Sequence, residues 1–340
     1  MTPPRIERGS YDGPSWALRN SLSNNFGAIA KFEPSAWQID LGLFQSLASA
    51  RSSFANLIVD IDESGTGERL VFANPPSRFA SISGELRVAR VFSEGPRQHR
   101  FLVSLRGRSV ESRFGESDLA ELGRAPIGDR VSPPHPIFQF GVQTLDEVRQ
   151  VTGGIAYGLH CPEFLDIRAG LQVVDYRKSI NGPFASDLQL STTNLLPNVT
   201  ASVSLTRQLL LYDSYALGLE ENGQAPDFAT NRLTLLPALI TNQIDFGGRW
   251  QPSDALSVIV GYFRIEKPYF NLDPSRFFGR LGDETHEGFE FSLKAMPSQA
   301  LAVVAGAVVQ DPRVTAASPL NAVGRRPVGQ PKVTAQINVD

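Results

Sequence analysis

Four histidines are the first side chains to weigh for chemistry: His99, His135, His160 and His286. Imidazole ligates zinc and moves protons near neutral pH. None of the four stands at HxxxH or HExxH spacing, and no two share a segment. A zinc centre would need them to converge by folding alone, with carboxylates completing the shell. Incidental polar residues in loops and turns fit that spacing better. The single cysteine, Cys161, excludes a disulfide framework and a cysteine-based zinc site. Asp60, Asp62 and Glu63 are close enough to offer calcium several oxygens. They lack the full loop pattern, so a solvated loop start is expected. Gly65-Thr66-Gly67-Glu68 is a turn and not a phosphate cradle, because no helix follows it. The sequence contains no GxSxG elbow, P-loop or dinucleotide fingerprint. Asn198-Val199-Thr200 matches a glycosylation sequon, a pattern that recurs by chance. No catalytic, cofactor-binding or metal residue is assigned, and the chain is not expected to be an enzyme. Substrate-binding residues stay unknown.

One charged stretch has a use outside catalysis. Arg106, Arg108, Arg113, Arg124 and Arg130 face few opposing acids. They would attract an anion if they lined a funnel, or form a solvated loop with scattered charge.

Any such site must be positioned by strands. Period-two alternation recurs along the chain. Trp37, Ile39, Leu41 and Leu43 alternate with Gln38, Asp40 and Gly42. Leu165 to Val173, Val199 to Leu205, Ile244 to Trp250, Phe289 to Ala295 and Val333 to Val339 repeat the pattern. Weaker versions lie near residues 25–32, 82–88, 100–108, 137–143 and 256–266. Prolines fall between these runs, where they remove no ladder hydrogen bond. Helical spacing is weak, and its best stretch, Ser117–Leu122, is short. The class is all-β and antiparallel, with a dozen or more strands, beyond a small sandwich. No fixed internal repeat and no domain linker is visible.

Alternation alone does not separate a soluble sandwich from a barrel, since both alternate. Connections discriminate better. Glu33-Pro34-Ser35, His160-Cys161-Pro162-Glu163, Pro252-Ser253-Asp254-Ala255 and Pro297-Ser298-Gln299 are tight turns. Long polar segments near 109–136, 206–242, 267–286 and 310–330 alternate with them. Short turns on one rim and long loops on the other mark outer-membrane barrels, and soluble domains rarely hold several long structureless loops. Among the 21 Phe, 7 Tyr and 3 Trp, Tyr262 and Phe263 fit either an interfacial aromatic girdle or packing. Phe277 and Phe278, deep in a long segment, fit packing.

Composition sets outer bounds. A formal net charge of −3 over 340 residues gives no electrostatic case for nucleic acid. The longest apolar run, Leu301–Val309, is interrupted by Gly306 and is far short of the roughly 20 residues a membrane helix needs. The start, Met1-Thr2-Pro3-Pro4-Arg5-Ile6-Glu7-Arg8, has no apolar h-region. A barrel beginning there would be a fragment of a longer exported protein.

One region carries more than composition. Tyr212-Asp213-Ser214-Tyr215-Ala216-Leu217-Gly218 leads through a long segment and Pro237 to Gln243-Ile244-Asp245-Phe246-Gly247-Gly248-Arg249. This resembles the later strands of TonB-dependent siderophore receptors, where "Y-x-S-Y-x-x-G" precedes "Q-x-E-x-G-x-K". Asp245 and Arg249 replace Glu and Lys with charge kept. Ala255–Lys267 resembles the family's "F-x-I-x-K" strand, and His286-Glu287-Gly288-Phe289-Glu290 its "x-x-G-x-E" start. Gly329-Gln330-Pro331-Lys332 is similar to the entry of a subsequent strand, and Arg113–Asp118 more weakly to an earlier loop. The match is good over 205–340 and loose before it. The resemblance implies part of a 22-stranded transmembrane barrel across residues 1–340, without the plug domain. It also implies a parent protein in the outer membrane, contacting lipid, a ferric siderophore or similar ligand, and the TonB complex. The TonB-contacting region is not visible in this chain, and no cofactor is implied. A passive porin and a soluble all-β binding module are the alternatives. The soluble module would bury Trp37, Leu165, Phe246, Phe289 and Ile337 in a core. A severed barrel leaves open edges that lipid cannot satisfy, so the isolated chain is not expected to insert stably.

Overall fold

A computed structural model describes residues 13–340, apart from 130, 184, 227, 299, 318–322 and 328. The Met1–Arg8 segment, Arg130 and Gln299 therefore lie outside the described residues. The strands are β1 (Asn20–Phe32), β2 (Trp37–Val59), β3 (Thr66–Asn74), β4 (Ser77–Glu94), β5 (Arg97–Phe114) and β6 (Asp118–Pro126). Next come β7 (Thr144–Cys161), β8 (Leu165–Gly182), β9 (Ala185–Ser204), β10 (Leu209–Glu220) and β11 (Leu239–Ser253). The last are β12 (Leu256–Leu272), β13 (Phe278–Ser298), β14 (Leu301–Gln310), β15 (Arg313–Ala317) and β16 (Val333–Val339). No helix occurs among the described residues.

All pairings are antiparallel and build one sheet. Its strands lie abreast in the order β1-β2-β4-β5-β7-β8-β9-β10-β11-β12-β13-β14-β16. β3 and β6 extend one rim beside the end of β2, and β15 extends it beside β13. Among the described residues β1 pairs only with β2 and β16 only with β14, so the sheet has two open edges. The turns at 33–36, 95–96, 162–164, 205–208 and 254–255 share one rim, where Ser298 of β13 and Leu301 of β14 also pair. Three of the expected tight turns fall there, and the fourth includes Gln299, outside the described residues. The longer connections share the other rim.

Register places every apolar alternation on one face. Ile39, Val88, Val103, Ile155 and Leu171 are directly opposed in succession across β2, β4, β5, β7 and β8. Phe246, Tyr262, Phe289, Val309 and Val333 form the same kind of row from β11 to β16. Trp37, Leu165, Phe246, Phe289 and Ile337 all lie on this face. Among the described residues no second layer covers it: Ile155 and Phe289 are each 61% exposed and Ile337 69%. On β8 the apolar stretch runs from Leu165 to Val173, eight steps of about 3.4 Å. At a tilt of about 40° it stands roughly 21 Å tall, close to the lipid-facing band of outer-membrane barrels. Charge begins just beyond it, with Asp175–Arg177 on β8 (2.9 Å) and Glu147–Arg149 on β7 (3.8 Å).

The strands run further than alternation indicated. β5 reaches Phe114, Ser117–Leu122 contributes to strand β6 and not to a helix, and only 273–277 separate β12 from β13. The long segments expected at 109–136, 206–242, 267–286 and 310–330 are thus partly strand. Beyond the apolar band the backbone ladder continues although the apolar period stops. Two prolines lie in strand interiors, against expectation, besides Pro126, Pro252 and Pro297 at or next to strand ends. Pro197 on β9 sits just past Asn198, where pairing with β10 ends. Pro268 on β12 sits past Glu266, where pairing with β11 ends. Each occupies a locally free edge, which costs no ladder bond.

Candidate ligand-facing mouth

The face opposite the apolar one is polar, and the resemblance motifs map onto it. Tyr212, Ser214 and Gly218 of β10 and Gln243, Asp245, Gly247 and Arg249 of β11 all point to this side. Ser214 donates to Asp245 (2.9 Å), as does the Gln243 amide (2.9 Å). The Tyr212 ring lies over Gly247 and Gly261, where an added Cβ would stand 2.6 Å from its hydroxyl. That hydroxyl reaches Glu290 at 3.5 Å. The motif is therefore a wall in which one aromatic covers two glycines on neighbouring strands.

Toward the long-loop rim this face becomes buried. Lys178 on β8 is 5% exposed at its side chain, with Nζ 3.3 Å from Asp146 and 2.9 Å from Glu221. Arg108 of β5 reaches the second oxygen of Glu221 at 3.4 Å. The buried Tyr176 hydroxyl and Asp146 Oδ1 find no partner among the described residues. Burial pushes the Asp146 carboxyl up against the pull of Lys178. Burial, then Glu221 and Asp146, push the Tyr176 phenol up.

Glu221 opens the 221–238 segment, which is folded. Ala225 N–H donates to Thr234 O and Leu233 N–H to Ala225 O, both at 2.9 Å. Ala225, Ala229 and Leu236 are buried. Asn231 exchanges two 2.8 Å hydrogen bonds with the backbone of Phe278, and Arg276 donates to Phe228 O (3.0 Å). The segment thus ties β8 to the β12–β13 turn, five strands apart. Near its far end Glu284 accepts from His286 (3.1 Å) and pairs with Lys267 (3.4 Å). Burial raises the Glu284 carboxyl, but His286 and Lys267 outweigh it and hold the group below its ordinary value.

The arginine stretch divides. Arg106 and Arg108 point to the polar face, whereas Arg113 points outward against Glu111 (3.0 Å). Arg124 binds Asp62 (2.8 Å). That contact falls among the acids weighed above for calcium and read as a loop start. Asp62 also accepts from the Ser64 hydroxyl and the Ser64 and Thr66 amides. The Ser64 hydroxyl first, then the Thr66 amide, hold its carboxyl down at about 2. It is a turn anchor with its oxygens engaged. The histidines stay apart. His99 stacks on Phe92 (4.9 Å), His135 packs on Trp16 (4.6 Å) and His160 meets Asp166 (3.2 Å). No group of three or more His, Cys, Asp or Glu able to hold a metal occurs among the described residues.

Aromatics line the outward face near the short-turn rim, where Phe92 stacks on Phe101 at 6.0 Å and Phe101 meets a tilted Tyr157 at 5.0 Å. Arg90 lies over Trp37 at 5.6 Å. Tyr262 and Phe263 separate: Tyr262 faces outward and donates to Glu287 (3.2 Å), while Phe263 faces the polar side. Phe277 is in the β12–β13 turn and is exposed.

Residues 162–340 match the family model described as "TonB dependent receptor-like, beta-barrel". The chain belongs to that family. The matched span includes the motif-bearing strands just described. Among solved structures, the outer-membrane ferripyoverdine receptor of Pseudomonas aeruginosa, bound to ferripyoverdine, superposes with a TM-score of 0.76 at 15% identity. The alignment covers 99% of this chain and 46% of that one. The siderophore receptor PiuA from Acinetobacter baumannii gives 0.75 at 12% identity, over 99% and 55%. The ferric preacinetobactin receptor BauA from the same species gives 0.71 at 18%, over 96% and 50%. At these identities the likeness establishes the fold. The chain spans about half the length of these receptors. No curated protein sequence matches it.

Proposed function

We propose that this chain, residues 1–340, is one stretch of barrel wall in an outer-membrane TonB-dependent receptor that imports a ferric siderophore or a similar ligand. The observation that carries the proposal is the uncovered apolar face, which on β8 runs from Leu165 to Val173 and stands roughly 21 Å tall, with the polar face turned to the lumen. A soluble module would bury that face. The thirteen strands abreast would need further strands to close a family barrel of about 22. Ligand would enter at the long-loop rim, where the 221–238 segment leans over the lumen. Its release inward would be driven through a plug by the TonB complex.

The test is uptake by cells carrying the full-length receptor under iron limitation. Ferric-siderophore uptake that collapses when either the receptor gene or TonB is removed supports the proposal. Uptake that survives loss of TonB, with steady ion conductance by the purified protein in planar bilayers, identifies a passive pore instead.

A further inference from the structure

We infer that Asn222 is a self-modifying residue: the Gly223 nitrogen attacks its side-chain amide, and the carboxylate that results loosens the 221–238 segment. This is chemistry of the chain itself and goes beyond the transport reading. It needs a main-chain nitrogen held against the asparagine Cγ and a following residue small enough to let a ring close. Among the described residues only Asn222 has both.

The chain contains two Asn-Gly pairs, Asn181-Gly182 and Asn222-Gly223. In the second, the Gly223 N–H donates to Asn222 Oδ1 at 2.9 Å, which brings the nitrogen beside Cγ. Gly223 carries no side chain to obstruct the five-membered ring. Asn181, by contrast, lies in a ladder opposite Leu145, and Gly182 lies opposite Ala185, so that main chain is held extended. Asn271 is the converse case. The Leu272 N–H donates to Asn271 Oδ1 at 2.8 Å, but a leucine side chain stands where the ring would form. The Asn271 amide nitrogen is also held, by the Tyr269 hydroxyl. The Asn222 amide nitrogen is buried and finds no partner among the described residues, so no hydrogen bond restrains it from leaving.

Holding a nucleophile beside its target is worth orders of magnitude in rate. The Gly223 nitrogen bonds to Cγ, the Cγ–Nδ2 bond breaks, and the Gly223 proton departs with the amide group as ammonia. Water then opens the cyclic imide at either carbonyl and one proton is released. The product is aspartate, or isoaspartate with the main chain rerouted through the side chain. Gly223 is exposed, so water reaches the ring.

The product forms next to the ion cluster at the head of the segment. Glu221 shares Lys178 with Asp146, and Arg108 approaches its other oxygen. A carboxylate at position 222 sets three acids against two cations, and it replaces an amide nitrogen that has no contact with solvent. A buried charge without its own partner is destabilising. Isoaspartate also lengthens the main chain just ahead of the Gly223 carbonyl, which accepts from the Leu236 N–H at 3.2 Å. Either product works against the folded segment.

The test ages the full-length receptor, folded in detergent, in mildly alkaline buffer and maps its peptides by mass spectrometry. Asn222 should convert to the acid about tenfold faster than Asn181 or Asn271. In the receptor unfolded by urea, the two Asn-Gly sites should convert at like rates. Gly223→Ala should slow Asn222 about tenfold in the folded receptor; an added Cβ there meets nothing within 4 Å, so the fold accepts it. Asn222→Asp should speed hydrogen exchange at the Ala225, Leu233 and Leu236 amides about tenfold, whereas Asn181→Asp should leave them unchanged. Heat-modifiable migration on gels confirms that each variant is folded. Asn222 converting no faster than Asn181 in the folded receptor, or at the same rate with Gly223→Ala, overturns the reaction. Strap amides that exchange alike in the parent and in folded Asn222→Asp overturn its effect on the segment. Neither readout depends on uptake, so failure of the transport reading is seen separately.

Discussion

Replacing Lys178 by methionine removes the buried ammonium that holds the 221–238 segment against the wall. Nζ lies 3.3 Å from Asp146 and 2.9 Å from Glu221. Without it, two carboxylates face each other with one cation, Arg108, left on Glu221. Breaking a fully buried pair costs about 3–5 kcal/mol. The Glu221 side chain is 40% exposed and that of Asp146 23%, and such exposure discounts the cost to about 2 kcal/mol. Confined to one segment, that raises its open population roughly 30-fold. The amides that report it are Ala225, Leu233, Thr234 and Leu236, all bonded within the segment. Hydrogen exchange on the full-length receptor should show these four speeding up about 30-fold, with amides of the β11–β12 ladder unchanged. Burial already raises the Asp146 carboxyl, so in the variant it takes up a proton readily as pH falls. Repulsion then fades and protection should partly return in mild acid. Unchanged exchange in the folded variant would refute the claim that Lys178 latches this segment.

Three further outcomes follow from the geometry. Leu171→Arg puts a charge at mid-band on the lipid-facing side and should cost about 2–4 kcal/mol in refolding titrations into vesicles; Gln172→Arg, facing the lumen, should cost little. A Cβ at Gly288 would stand 2.1 Å from the Val309 carbonyl oxygen, so Gly288→Ala should sharply reduce the folded, heat-modifiable fraction. Asp62 is held at about 2 against an ordinary 3.8, so its support of the 60–66 turn is full above pH 3.8 and fades as pH falls toward 2. Asp62→Asn should expose that turn to protease at pH 7 and flatten the acid dependence seen in the parent.

Sequence showed the parts of the strands within the apolar band because there the two faces carry opposite chemistry. Leu165 to Val173 alternates with Asp166, Arg168, Gly170 and Gln172 for that reason. Above the band Val174, Tyr176, Lys178 and Ile180 continue the same strand on its polar side but are buried, and the apolar–polar period does not announce them. The spacing of Tyr212, Ser214, Gln243, Asp245 and Gly247 was legible as a motif before its cause was known. The structure supplies the cause in the tyrosine-over-glycine wall and the Ser214–Asp245–Gln243 contacts. The latch was not legible: Asp146, Lys178 and Glu221 are far apart in sequence and meet only through register and the return of a loop. The five-arginine stretch was open between a funnel lining and a solvated loop because sequence proximity does not fix facing. Alternation along β5 sends Arg108 and Arg113 to opposite sides.

The central claim is that one face of this sheet touches lipid and the other does not. Single cysteines carrying a fluorophore, placed in a Cys161→Ser background of the full-length receptor, test it directly. The label sites are Phe246, Phe289 and Ile337 on one face and Asp245, Glu290 and Gln336 on the other. In vesicles with bromine on the acyl chains, the first three should be strongly quenched and the second three should not. Equal quenching of both sets, or quenching of the second set alone, would contradict the assignment of a lipid-facing wall.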